Sequence, residues 1–270
     1  MISALAELIL APVVLYLLAL MPRVANRPDT ELFKHKYFAH RGLHDNAGDA
    51  PENSMAAFRR AVEAGYGMEL DVHVTSDGIP VIFHDFTLER ICGVKGRIED
   101  YTYAQLRNFT LCDSQERIPK LKELLAMVHG RVPLIVEIKS EQADVSSCKV
   151  IDGLLRKYEG AYCIESFNPA VLWWFRWHHS RVVRGQLASN FRRDGGYRNI
   201  IYFFMTHLLL NFLTKPDFIA YNHAFWEEPG RRICRYLYRN PAVAWTIRSK
   251  QELEEMQSRF DVFIFESFVP

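Results

Sequence analysis

The sequence lacks an excess of charge of either sign: acidic and basic side chains nearly cancel, leaving a formal net charge of +1 over 270 residues. No long-range field draws such a chain to a polyanion, so no nucleic-acid partner is expected. Cysteine is scarce. Cys92, Cys112, Cys148, Cys163 and Cys234 form no Cys-x-x-Cys pair and no zinc-ligand spacing. An odd, scattered set implies reduced thiols and a reducing compartment. Between residues 37 and 270 there is no linker, repeat or low-complexity tract. One catalytic domain suffices, since a single α/β barrel typically takes about 250 residues.

The start of the chain is rich in apolar sequence. From Ile2 to Met21 only Glu7 is charged, and the run is close to the roughly 20 residues that span a bilayer core as a helix. Pro12 is tolerable there because neighbouring groups can satisfy the freed carbonyl. The expectation is a transmembrane anchor over residues 1–22 and a juxtamembrane linker over 23–36. A cleaved signal peptide competes with it, but no Lys or Arg precedes the run and no clear small-x-small cleavage site follows. Arg23, Arg27, Lys34 and Lys36 all come after the segment. The positive-inside rule then predicts a single-pass protein of the cell membrane with its large domain in the cytoplasm.

Short β-rich runs alternate with helical patterns, the sequence form of a parallel sheet with crossover helices. The runs are Tyr37–His40, Gly67–Val72, Pro133–Ile138, Tyr162–Ser166, Val182–Leu187, Asp217–Tyr221, Ala242–Thr246 and Val262–Glu266. They predict a TIM-type (β/α)8 barrel over residues 37–270. Asn53 reads as an N-cap, Gly65 as a helix stop, and Pro169 after Asn168 as a helix start. Val72 to His84 departs from the alternation, with two strand-like arms around the turn Asp77-Gly78. At about 3.3 Å per residue the arms climb and return equally, bringing His84 back to the level of Asp71.

Reacting groups in such barrels sit at the C-terminal ends of strands. Those ends carry His40-Arg41, Glu69-Leu70-Asp71, His84-Asp85 and Glu137-Ile138-Lys139. Glu69 and Asp71 are two apart on a strand and share a face, as do Glu137 and Lys139. Carboxylates converging in a barrel mouth repel unless a cation neutralises them, and all-oxygen ligands suit Ca²⁺ or Mg²⁺ over zinc. One divalent metal is expected, although Glu137 and Lys139 could also pair as a buried structural network. Two histidines beside a held phosphate suit general acid and base work, and Arg41 and Lys139 suit its oxygens. His35, His44, His129, His178, His179, His207 and His223 lack such company and read as surface or satisfied core groups.

These motifs have a familiar order. The chain resembles the glycerophosphodiester phosphodiesterase family, relatives of the phosphatidylinositol-specific phospholipases C. The resemblance rests on His40-Arg41-Gly42, Pro51-Glu52-Asn53-Ser54, Glu69-Leu70-Asp71, Thr75-Ser76-Asp77-Gly78, His84-Asp85 and Glu137-Ile138-Lys139, then thins to Ser166-Phe167 and Trp245-Thr246. It implies hydrolysis of glycerophosphodiesters to sn-glycerol 3-phosphate and an alcohol. It further implies a metal on Glu69, Asp71 and Glu137, acid and base at His40 and His84, and phosphate on Arg41 and Lys139. Phe167 and Trp245 are implied substrate contacts, and attack by the glycerol 2-hydroxyl through a cyclic phosphate is an implied route. Glu52 could orient Arg41 or simply favour a helix start. One departure is Phe263-Ile264-Phe265-Glu266-Ser267, where the family often carries Thr-Asp before proline; it bears on head-group detail.

The apolar run Ile200–Leu213 follows Arg192, Arg193 and Arg198 and is too short to span a bilayer. It reads first as a buried barrel helix, and alternatively as a segment lying on the bilayer, which would admit lysophospholipids in a lysophospholipase D reaction. Trp173, Trp174 and Trp177 read as packing against the barrel. A noncatalytic membrane protein that binds phosphorylated head groups is the rival outside the enzymes.

Overall fold

The computed structural model describes residues 2–34 and 36–270, and the side chains of residues 2–9, Glu31 and Lys34 are not described. His35, read above as a surface or core group, lies outside the described residues. Among the described residues nine strands are present: β1 (Tyr37–Ala39), β2 (Gly67–Val74), β3 (Pro80–Ile82), β4 (Leu134–Ile138), β5 (Tyr162–Ser166), β6 (Arg184–Ala188), β7 (Phe218–Asn222), β8 (Ala242–Ile247) and β9 (Val262–Phe265). All but β3 run parallel, and β1 pairs with both β2 and β9, which closes an eight-stranded TIM-type barrel. Each predicted strand is present with its ends within two residues of those expected, and Tyr162–Ser166 has the expected bounds.

The exception in the alternation is the expected hairpin. β3 lies antiparallel on the end of β2, pairing Val72 with Ile82 and Val74 with Pro80. Gly78 takes φ 77° in the turn, a conformation glycine adopts without steric cost. The Phe83 amide donates to the Asp71 carbonyl at 3.0 Å, so His84 does return to the level of Asp71.

Side-chain alternation sorts the barrel into two layers. Phe38, Ile135, Cys163, Val183, Phe218, Ala220, Val243 and Ile264 fill the interior, while Leu70, Val72, Val136, Ile138 and Ile164 meet the surrounding helices. A short turn, Glu31–Lys34, plugs the base: Leu32 is buried in the interior cluster and the Phe33 ring stands 5.0 Å from that of Phe218. Residues 86–118 cover β3 with a small core of their own, built on Val81, Phe83, Leu88, Ile91, Ile98, Leu106, Leu111 and Ile118.

The N-terminal residues form a helix over Ile2–Leu20. Its last turn docks on the barrel, with Leu20 buried and its carbonyl accepting from Asn211 Nδ2 at 3.0 Å. Tyr238 Oη donates to the Leu17 carbonyl and Lys215 Nζ to that of Met21. Leu10, Val13, Val14, Leu15 and Leu18 are exposed. No helix among the described residues is long and apolar enough to cross a membrane.

Three local expectations are corrected. Ser54, not Asn53, caps the helix Met55–Glu63 by accepting from the Ala57 amide; Asn53 sits at φ 58° and its amide turns to the barrel instead. The stretch read as a buried helix is two short ones, Ile200–Thr206 and Asn211–Thr214, with Ile200, Ile201, Phe203, Phe204, Phe212 and Leu213 all exposed. Trp173 and Trp177 also face outward, leaving Trp174 to pack. Apolar periodicity reports which face is apolar, not whether another element covers it.

The turn after β1 depends on Gly42, at φ 83°, where an added Cβ would meet the Ala57 carbonyl carbon at 2.8 Å. Gly42→Ala should destabilise the fold by about 2 kcal/mol or more, read as a lowered urea midpoint. An unchanged midpoint would contradict this packing.

Candidate active site

The strand ends of β1, β2, β4 and β9 deliver the polar groups. β2 and β4 are in register with Asp71 opposite Glu137, so Glu69, Asp71 and Glu137 all point into the barrel. All are buried, and each offers an oxygen within 4.8 Å of the others. Burial pushes Glu69 well above the usual carboxylate range, and the neighbouring Asp71, Glu137 and Glu165 carboxylates add to it. Burial would raise Asp71 too, but Lys139, His84, Arg41 and Asn53 hold it well below. The cluster thus has too few cations for its carboxylates, the condition under which a hard divalent ion is bound.

Lys139 Nζ lies 2.8 Å from Glu137 Oε1 and 3.0 Å from Asp71 Oδ1. Burial works against its ammonium, and Asp71 and Glu137 outweigh it, holding the group charged. Arg41 spans the site: its amide donates to Glu69 Oε2 at 3.2 Å, Nη1 donates to Glu52 Oε1 at 2.7 Å, and Nε stands 3.4 Å from Asp71 Oδ2. Asn53 Nδ2 donates to the same Asp71 oxygen at 2.9 Å. Glu52 also receives Arg90 and Asn46; its burial would raise it, but these donors bring it to about 2.

Each of the two histidines has a carboxylate on Nδ1. His40 Nδ1 is 2.5 Å from Glu266 Oε2, and Arg248 Nε donates to the other Glu266 oxygen at 2.7 Å. Burial of Glu266 is outweighed by His40 and Arg248, and its carboxyl falls to about 2. Burial, with Arg41 beside it, lowers His40 to about 4 against the opposing pull of Glu266. At neutral pH the ring is therefore neutral, its proton directed to Glu266. Nε2 is left unprotonated on the side of Glu69, 3.9 Å away. His84 Nδ1 sits 2.5 Å from Asp85 Oδ1, and Arg90 bonds both Asp85 oxygens and both Glu52 oxygens. One arginine thus ties the His84 arm to the Arg41 arm.

Sequence reasoning passed over three residues. Glu266 was read as a head-group detail, yet it touches His40 directly; it ends β9, next to β1, and the rule about strand ends would have found it. Glu165, 1% exposed, stands opposite Glu137 in the β4–β5 register, and its Oε2 has no hydrogen-bond partner among the described residues. His73 follows Asp71 on the same face of β2, packs edge-on to Phe86 and meets the His84 carbonyl at 3.3 Å. Phe167 and Trp245 form an aromatic pair at the rim, rings 5.6 Å apart. The remaining described histidines lie outside the cluster: His178, His179, His207 and His223 bond to Trp174, Asp152, Glu228 and Trp245, His129 ends a helix, and His44 Nδ1 bonds the His40 carbonyl.

Fold and site define a class: a TIM-type barrel whose mouth holds a carboxylate cluster suited to a cation, cationic side chains for an anionic ester, and two oriented imidazoles. The model of the glycerophosphoryl diester phosphodiesterase family matches residues 40–258, and the chain belongs to that family. It is 33% identical over 258 residues to mouse (Mus musculus) glycerophosphodiester phosphodiesterase 1, covering 82% of this chain and 74% of that one. Among solved structures it resembles an Oleispira antarctica phosphodiesterase in complex with the product sn-glycerol-3-phosphate, with TM-score 0.69, 23% identity, and 86% and 92% of the two chains covered. A Thermotoga maritima glycerophosphodiester phosphodiesterase gives TM-score 0.66 at 22% identity, over 85% and 93% of the chains. At these identities the structures speak for the fold.

Removing the partner of His40 should cost rate and leave binding. Glu266→Gln should lower kcat by about a hundredfold or more with KM little changed. With His40 as the proton acceptor, its lowered value would place the acid limb of kcat/KM near about 4, below the ordinary imidazole value of about 6.5. Loss of Glu266, which favours the imidazolium, should move that limb lower still. A limb moving upward, or an unchanged kcat, would separate Glu266 from the chemistry.

Proposed function

We propose that the chain hydrolyses glycerophosphodiesters to sn-glycerol 3-phosphate and an alcohol. The observation that carries this is the meeting of three buried carboxylates with two histidines, each fixed through Nδ1 by its own carboxylate. Glu69, Asp71 and Glu137 would hold one divalent cation, Ca²⁺ or Mg²⁺, whose charge would polarise the phosphoryl oxygen. Arg41, held by Glu52, and Lys139 bind the phosphate oxygens, and neutralise charge as it builds in the transition state. One histidine takes the proton of the attacking hydroxyl through Nε2, and the other donates to the leaving alcohol. Whether the nucleophile is water or the glycerol 2-hydroxyl, the same pair serves. Phe167 and Trp245 flank the bound diester at the rim.

We read residues 37–270 as the catalytic domain and residues 1–22 as a membrane anchor, with the barrel on the cytoplasmic side. The basic residues that follow the helix support this orientation. A lysophospholipase D reaction is the second reading. It is favoured by an aromatic track leading from the rim: Trp245 to Phe167 at 5.6 Å, Phe167 to Phe191 at 5.9 Å, and Phe191 to Tyr202 at 5.3 Å. Tyr202 lies in the helix that carries the exposed Ile200, Ile201, Phe203 and Phe204. A noncatalytic head-group binder is disfavoured because no histidine or carboxylate of the site is missing.

The test is release of glycerol 3-phosphate from glycerophosphocholine and from lysophosphatidylcholine by the full chain, with and without EDTA, beside His40→Ala. Chelation and the substitution should each abolish release, by about a thousandfold for the histidine. The faster substrate then chooses between the two readings. Intact substrates in the presence of added metal would bring forward the binding-protein reading.

A further inference from the structure

Residues 190–207 form a groove of about 610 Å³ at the C-terminal end of β6, the end of the barrel that carries the site. Arg192, Arg193 and Arg198 line it beside Tyr197, Tyr202 and Phe203. Among the described residues Arg192 and Arg198 make no ion pair and no side-chain hydrogen bond, and Arg193 lies over the Phe225 ring at 5.1 Å. The one acid of the segment, Asp194, is already engaged, accepting from Ser189 Oγ at 2.6 Å and from Asn222 Nδ2 at 3.3 Å. Three guanidinium groups against that single carboxylate leave the segment with net positive charge. Next to it stand Ile200, Ile201 and Phe203, exposed by 70%, 46% and 52%. An apolar ridge beside free guanidinium groups matches an interface whose outer layer is anionic and whose interior is hydrocarbon.

We propose that this surface docks on a bilayer of acidic glycerophospholipids: the arginines bind lipid phosphates, while Ile200, Ile201 and Phe203 enter the acyl boundary. The inference rests on the membrane-bound reading above and deepens it. The docked surface belongs to the same end of the barrel as His40 and Asp71, so docking turns the catalytic mouth toward the bilayer. The aromatic track from Tyr202 to Trp245 then gives a single-chain lipid an apolar route from the bilayer to the rim. The choice of acidic lipid follows from charge complementarity and agrees with the cytoplasmic leaflet, which carries the anionic lipids.

The test uses the full chain reconstituted in nanodiscs of phosphatidylcholine alone or of phosphatidylcholine with phosphatidylserine, with amide hydrogen exchange read over residues 197–207. At about fivefold per arginine near an acidic leaflet, the protection lost in R192E/R198E should be about 30-fold or more. The wild-type chain should exchange more slowly in phosphatidylserine discs than in phosphatidylcholine discs, and added salt should erase the difference. Equal exchange in the two lipids, or full protection in R192E/R198E, overturns the proposal. Hydrolysis of soluble glycerophosphocholine is read in parallel and should stay within about twofold in the variant, since these side chains touch no group of the site. Protection without hydrolysis in the wild type would remove the activity reading and leave the docking surface standing.

Discussion

Four carboxylates pointing into one buried barrel mouth repel each other, and much of the surrounding structure answers that repulsion. Glu69, Asp71, Glu137 and Glu165 occupy neighbouring strands in register, and each ionised group carries a desolvation penalty of several kcal/mol that needs a compensating partner. Lys139 and Arg41 supply charge, and Asn53 and the Arg41 amide supply donors. The left-handed turn at Arg41, the tight approach of Gly42 to Ala57 and the unusual conformation of Asn53 all serve to bring those groups to the cluster. These positions violate ordinary local preference, as residues at a functional constellation often do.

The same logic divides the two ends of the barrel. At the base, Arg184 is buried yet keeps an Asp217 carboxylate near its own backbone amide, and Arg23 reaches both Asp217 and the Ser180 carbonyl. Two guanidinium groups share one carboxylate there and take their remaining bonds from backbone carbonyls, and the network holds the segment leading from the N-terminal helix. At the opposite end the charges are mismatched by design of the fold, and the free arginines of the 190–207 groove lie there too. Stability at one end and unsatisfied chemistry at the other is the usual division in such barrels.

Most of the barrel was legible because buried parallel strands have short apolar runs and one-sided acids, and those runs fell where the strands are. The hairpin was legible from Asp77-Gly78 alone. What was not legible had a common cause: it depends on which elements meet. Exposure of Ile200 and Phe203 follows from the absence of a covering element among the described residues, and an apolar run carries no mark of that. Asn53 has the residue type of a cap, and only the proximity of Asp71 turned its amide inward. Glu165 needed the β4–β5 register, which no single strand contains. Glu266 was missed differently, through comparison with a family pattern where the strand-end rule was the better guide.

The Glu266–His40 contact also bears on how a departure from a family pattern should be weighed. A carboxylate with one more methylene than aspartate reaches Nδ1 at 2.5 Å from the end of β9, and Arg248 takes its second oxygen. What the geometry requires at that position is an acceptor for one imidazole proton, and chain length is adjusted by the backbone that presents it. Glu266 thus fixes the tautomer of His40, the property on which proton transfer through Nε2 depends. The same requirement is met at His84 by the adjacent Asp85, anchored from outside by Arg90. The two histidines are thus fixed by carboxylates from different segments, Glu266 after β9 and Asp85 after β3, while Arg90 links the second of them to Glu52 and so to Arg41.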